Sequence, residues 1–198
     1  MPENPSQTLA QADFERAAAA LNVEVAAIKA VAEVESSGKG FLPDGRPEIL
    51  YEAHVFHAVT KGAHATAKDR RGIALSSQKW NRALYGRTGA AQHDRYEDAR
   101  KLDADAANQA CSWGPFQLLG QNYKSCGFDS SQAFVDALWT GGAPANLDAF
   151  VNFIKANGLA KPLRDKNWAA FARGYNGPAY AQNAYDKKMA QAYVRCKG

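Results

Sequence analysis

Several things are scarce in this sequence, and each scarcity excludes a class. No apolar run is long enough to span a membrane, and no low-complexity tract suggests disorder. The opening residues MPENPSQTLA have neither the basic start nor the apolar segment of a signal peptide. The expectation is therefore synthesis in the cytoplasm, with export by another route. Cysteine is sparse: Cys111, Cys126 and Cys196 fit neither a disulfide framework nor a metal-ligand pattern. Cys111 and Cys126 could pair across the segment between them, but an odd count leaves a thiol, and buried free cysteine is the expected state. Charge of one sign is also limited. A net +4 with scattered Lys and Arg argues weakly for nucleic acid; it suits an anionic polymer, and solubility explains it equally well.

What is present is a helical domain. With 198 residues and 46% hydrophobic content, the chain can bury one sizeable core, so a single domain over 1–198 is expected, with residues 1–8 flexible. Thr8 to Gln11 has the spacing of a capping box ahead of a first helix containing Leu9, Phe14 and Leu21. Asn22 is the candidate cap of a second helix from Val23, with Val25, Ile28, Val31 and Ala32 along its apolar face. Further helices are predicted over 94–110, 131–139, 145–156, 167–173 and 183–194, with Tyr96, Ala99, Leu102 and Ala106 as the apolar positions of the first of these. The fold class is thus mostly α, with one small β-hairpin: Phe41-Leu42 and Glu48 to Glu52 flank the turn Pro43-Asp44-Gly45-Arg46-Pro47.

The second helix carries the most informative residue. Glu35 falls four positions after Val31 and seven after Ile28, on the apolar face. A carboxyl there loses water and lies near the negative end of the helix dipole. Both effects raise its pKa, as a general acid working near neutral pH requires. The plain alternative is a buried Glu satisfied by neighbouring backbone. Glu33 points elsewhere, beside Lys29, as a solvated helix carboxylate. Ser36-Ser37-Gly38-Lys39-Gly40 then ends the helix.

The hairpin brings a second set of carboxylates towards Glu35. Asp44 is at its tip, and Glu48 and Glu52 share one face of an extended segment. His54, His57 and His64 follow, but without a clear third ligand they read as ordinary polar residues, so no metal or cofactor is expected. Residues 62–88 are irregular and basic, including Trp80 to Gly86. They form either a mobile flap or a solvated surface loop with a short helix, and the surface reading is preferred. Gly114-Pro115 is read as a tight bend starting a helix with Gln117 in its first turn. Gln117 could offer its amide to a sugar hydroxyl or a catalytic water. Tyr175 and Asn176, in the break Gly174-Tyr175-Asn176-Gly177-Pro178, could orient a ligand, though turn chemistry alone would also explain them.

Taken in order, Glu35-Ser36, Gly114-Pro115-Phe116-Gln117 and Gly174-Tyr175-Asn176-Gly177 resemble the Glu-Ser, Gly-x-x-Gln and Tyr-Asn-x-Gly signatures of goose-type lysozymes and lytic transglycosylases. From about Phe14 to Tyr193, the stretches VAEVESSGKGFLPDGRPEILYEAHVF, SWGPFQLLGQNY and FARGYNGPAYAQNAYDKKMAQAY are similar to the N-acetylmuramidase family of phage endolysins and secreted antibacterial effectors. The resemblance implies a lysozyme-like fold around a central catalytic helix. It also implies cleavage of peptidoglycan between N-acetylmuramic acid and N-acetylglucosamine, with Glu35 as the acid.

Glu52 matches the carboxylate of the family's Ile-Leu-x-Glu-x-His segment, ahead of Glu48 and Asp44 as the second carboxylate. Gln117, Tyr175 and Asn176 match its cleft positions. Tyr51 stands where phenylalanine is common, and Cys111 and Pro115 where other small or apolar residues are usual. The residues ahead of the match leave no room for the N-terminal wall-binding module of many such endolysins, so a catalytic domain without it is the expectation. The implied partner is bacterial peptidoglycan, with an immunity protein added for an injected effector, and no nucleic acid or membrane span. The implied state is a monomer reaching the wall by holin-type release or a secretion system. A lytic transglycosylase, with one carboxyl as acid and base, is the nearest alternative. A noncatalytic wall-binding module is the more distant one.

Overall fold

The computed structural model describes residues 6–36 and 40–197. Of the leader expected to be flexible, residues 1–5 lie outside the described residues, as do 37–39 of the helix-ending segment. Backbone at residue 6 is held by a hydrogen bond from Ala143 N to Ser6 O at 2.7 Å.

The architecture is a helical bundle with a small sheet on one side. Two helices open it, α1 (Gln11–Leu21) and α2 (Val25–Ser36). Strand β1 (Ile49–Tyr51) and α3 (Ala53–Val59) follow, then a long irregular segment containing the 3-10 turn Arg82–Leu84. Next come α4 (Ala90–Arg100), α5 (Ala104–Gln109), and strands β2 (Cys111–Trp113) and β3 (Leu118–Leu119). The chain ends in α6 (Ser131–Thr140), α7 (Gly142–Ala156), α8 (Ala160–Arg164), α9 (Trp168–Asn176) and α10 (Tyr185–Lys197). Among the described residues no helix is long and apolar enough to cross a membrane.

Helix α2 lies in the core because more than one face of it is apolar. Ala27, Ile28, Ala30 and Val31 are all fully buried, and α1 and α10 pack against it. The last helix is also tied by polar contacts. Tyr193 Oη donates to Glu24 at 2.6 Å, Lys166 pairs with the same carboxylate, and Arg195 reaches Glu33 at 2.5 Å. Glu33 is thus exposed as expected but pairs with Arg195, while Lys29 lies over the Phe14 ring at 5.5 Å.

Several helix ends fall elsewhere than the local signals predict. Ala10 N donates to Asp13 Oδ2 at 2.9 Å, so Asp13, not the Thr8–Gln11 pair, closes the first turn of α1. Asn22 is left-handed (φ 52°, ψ 53°) and its N–H turns back to Ala18 and Ala19 carbonyls. It therefore ends α1 rather than starting α2, a role asparagine takes because it tolerates that conformation. The helix expected over 94–110 is two helices: Asp103 Oδ1 accepts from Ala106 N at 2.9 Å and caps the second, leaving Leu102 42% exposed at the break.

The sheet also differs from a simple hairpin. The Pro-Asp-Gly turn forms, with a Phe41–Pro47 bridge and Leu42 N donating to Arg46 O at 2.8 Å. Strand β1, however, pairs antiparallel with β2 (Leu50 opposite Ser112), and β2 with β3 (Ser112 opposite Leu119). Gly114 to Gln117 is the turn joining β2 to β3, not the start of a helix. Gln117 N donates to Gly114 O at 3.1 Å, and Gly114 and Gln117 both have positive φ, 64° and 47°. A side chain at Gly114 would overlap Asn146, so glycine is required there by both conformation and space.

Candidate active site

Alternation along β1 builds one wall of a cleft. Ile49 and Tyr51 point into the core, while Leu50 and Glu52 face outward, as a period of two dictates. Leu50, Ser112 and Leu119, aligned across the three strands, line the same cleft of about 710 Å³. The opposite wall comes from the C-terminal end of α2 and from α9, with Glu35, Tyr175, Asn176 and Gly177. Tyr185 and Asn183 close that side.

Glu35 is partly buried, and loss of water pushes its pKa up to about 7. Asn176 Nδ2 donates to Glu35 Oε1 at 3.0 Å and offsets part of that rise. Among the described residues desolvation is the larger cause and no cation opposes it, which keeps the acid neutral up to near neutral pH. Asn176 is in the last turn of α9, not on a loop, and the helix stops at Gly177, whose φ is 81°. The same turn carries Tyr175. Its hydroxyl donates to Phe116 O at 2.6 Å, and its ring stacks on Phe171 (centroids 5.7 Å) and meets Phe150 edge-on (5.5 Å). Tyr175 thus bonds α9 to the β2–β3 turn. Gln117 lines the cleft, with its Nε2 donating to Gly114 O at 2.9 Å.

Glu52 leaves β1 as the residue before α3, its N–H held by Ala110 O at 2.8 Å. Its side chain is 14% exposed, and burial raises its pKa. Tyr85 Oη lies 3.1 and 2.9 Å from its two oxygens and His54 Nδ1 3.3 Å from Oε2; both contacts work against the rise. Glu48 and Asp44 are not in the cleft lining. Asp44 stays at the turn tip, bound by Arg46 Nη2 at 2.6 Å, which lowers its pKa. His57 Nδ1 is 2.9 Å from Ser76 Oγ and His64 stacks on Phe56. Among the described residues no three His, Cys, Asp or Glu side chains form a metal-binding group. Cys111 and Cys126 are buried free thiols and Cys196 is a partly buried one.

Three residues beside Glu52 escaped assignment from sequence. Trp80 and Tyr85 lie in the segment read as a surface loop, yet both line the cleft, and Trp80 Nε1 donates to Tyr85 Oη at 2.7 Å. Gln92, buried on α4, donates through Nε2 to Tyr85 O and Arg87 O, both at 2.6 Å, and accepts from Tyr51 N at 3.0 Å. One amide therefore fastens the Tyr85 loop to the strand that ends at Glu52. The loop is held further out by a buried ion pair, Arg95 Nη1 to Asp69 Oδ2 at 3.2 Å, whose carboxylate also accepts from Arg71 N and Ile73 N. The available signal was the aromatic pair Trp80 and Tyr85 amid basic residues.

A family model described as Muramidase: N-acetylmuramidase matches residues 24–197. Among solved structures, the crystal structure of the Burkholderia AP3 phage endolysin is similar, with 42% identity over 96% of this chain and 71% of that chain and a TM-score of 0.85. No curated protein matches the sequence.

Proposed function

The chain belongs to the N-acetylmuramidase family, and from that premise we propose that it hydrolyses the β-1,4 bond of peptidoglycan between N-acetylmuramic acid and N-acetylglucosamine. The observation that carries the reading is Glu35: a carboxyl raised to about 7 by burial, aimed by Asn176, on a cleft that also holds Glu52. Glu35 protonates the leaving glycosidic oxygen. As the bond lengthens, positive charge develops on the muramic acid ring, and Glu52 stabilises it or activates the attacking water. Gln117 lines the sugar path, and Tyr175 keeps the turn bearing it in place. The substrate is bacterial wall glycan, reached by release from the cell or by delivery, as suits a lytic enzyme.

The test is mass spectrometry of soluble fragments from purified peptidoglycan treated with wild type, Glu35→Gln and Glu52→Gln. Reducing muramic acid ends from wild type, greatly diminished in both variants, are expected. Anhydro ends with an active Glu52→Gln would reassign the chain as a lytic transglycosylase. Undiminished cleavage by Glu35→Gln would remove Glu35 as the acid, and wall binding without turnover by wild type would leave a binding module.

A further inference from the structure

The hydrogen-bonded chain beside Glu52 has a direction set by its donors. An indole N–H only donates, and an ionised carboxylate only accepts. The Tyr85 hydroxyl between them accepts from Trp80 at 2.7 Å, so its own proton is left for Glu52, whose oxygens lie at 3.1 and 2.9 Å. Trp80 is at the same time 60% exposed, the largest side chain so placed among the described residues, and it lines the cleft. Its ring meets Tyr85 at an angle of 70°, with centroids 6.2 Å apart, and its exposure leaves much of the indole accessible from the cleft. The loop is not free to wander, because Gln92 holds the Tyr85 carbonyl and Asn81 Oδ1 accepts from Ala83 N at 3.0 Å.

We propose that Trp80 and Tyr85 form a positioning relay for Glu52, in which the exposed indole face receives a sugar ring of the glycan while the indole N–H directs the Tyr85 proton at the carboxylate. The proposal rests on the reading of Glu52 as the second carboxylate. An apolar sugar face covering the indole removes water from the Trp80–Tyr85 hydrogen bond, which strengthens it. Glycan occupancy at the rim thereby tightens the hold on Glu52 at the reacting centre. Tyr85 and Trp80 act through Glu52 and are positioning residues.

The titratable groups around Glu52 are Tyr85 and Lys79 from the loop, His54 from α3 and Cys111 from β2, with Glu35 across the cleft and Arg82 acting on Tyr85. Tyr85 bonds to the ionised form, so weakening that bond moves the Glu52 titration upward. The acid-side limb of the kcat profile should move to higher pH.

The experiment measures kcat, KM and pH profiles on soluble uncross-linked glycan chains for Trp80→Phe, Trp80→Ala, Tyr85→Phe and Glu52→Gln, with circular dichroism to establish folding. Trp80→Phe keeps a ring and removes the donor; kcat should fall roughly three- to tenfold with KM unchanged and the acid limb shifted up. Tyr85→Phe should do the same more strongly, roughly tenfold or more, because it removes the bond to the charged group. Trp80→Ala should add a rise in KM of roughly fivefold.

A Trp80→Phe enzyme with wild-type kcat and pH profile would overturn the relay, and an unchanged KM in Trp80→Ala would overturn the sugar platform. If Glu52→Gln is inactive while Trp80→Phe is silent, the relay alone fails. If Glu52→Gln keeps full activity, the reading of Glu52 fails first. Adding Trp80→Phe to Glu52→Gln should have no further effect on kcat, and a further tenfold loss would show that Trp80 acts by another route.

Discussion

The two walls of the cleft hold their carboxylates in opposite ways. Glu35 comes from a helix that is buried on most of its surface, and among the described residues its side-chain partner is the neutral amide of Asn176. Glu52 comes from the end of a three-residue strand and is surrounded by groups that favour its ionised form, Tyr85 and His54. Burial pushes both titrations up; on the Glu52 wall a hydroxyl and an imidazole pull back, and among the described residues on the Glu35 wall an amide does. The lesson is that one physical cause, desolvation, yields an acid or an acceptor according to what surrounds it. Two carboxyls with environments that diverge in this way are what acid–base division of labour requires.

The comparison should break most visibly at Glu35, the proposed acid. Glu35→Gln should lower turnover by roughly 10²–10⁴-fold, the usual worth of a positioned general acid, measured as reducing ends released per minute. A wild-type rate in that variant would leave the helical wall without a chemical role.

The Glu52 wall should break through its foundations. Arg95 and Asp69 are 2% and 0% exposed, so Arg95→Met leaves a buried carboxylate without its cation. A loss of about 3–5 kcal/mol in urea unfolding is expected. A loss below about 1 kcal/mol would mean that the Asp69 hydrogen bonds to Arg71 and Ile73 suffice by themselves.

A third measurement separates stability from catalysis on the helical wall. The Glu35 pKa rises from 4.5 to about 7, so between those values the folded protein binds more protons than the unfolded chain. The stabilising contribution of the protonated form is complete below 4.5 and is lost as pH rises through about 7. Activity that needs the protonated acid should fall over the same upper limb. Glu35→Gln, which never ionises, should therefore be more stable than wild type at pH about 8, by at most on the order of 3 kcal/mol, with no gain at pH about 4. Equal melting temperatures of the two proteins at both pH values would contradict a desolvated Glu35.

The smallest expected effect lies where the walls are joined. Gly114→Ala places a side chain against Asn146 in a backbone with φ 64°, and should cost about 1–3 kcal/mol. It should also move Phe116, the acceptor of the Tyr175 hydroxyl, and so raise KM more than it lowers kcat. A neutral Gly114→Ala would show that the turn relaxes without disturbing either wall.

Periodicity alone makes the helical wall legible. The repeat of Val31 and Glu35 on one face of α2 places a carboxyl among apolar side chains, and periodicity is a local property that a chain carries with it. The signatures around Gln117, Tyr175 and Asn176 likewise identified residues that all line the cleft. Tertiary structure decided the rest.

Helix α4 was legible only through Tyr96 and Ala99, because its buried face is otherwise Gln92, His93 and Arg95, residues that sequence reading sends to solvent. They are inside because partners far along the chain satisfy them: Tyr51 N and Tyr85 O for Gln92, Pro47 O for His93, and Asp69 for Arg95. The register of β1 against β2 is equally nonlocal, and so is the contact of Tyr85 with Glu52. Burial of apolar side chains follows a pattern in sequence; burial of polar ones depends on a partner, and only folding brings the partner near.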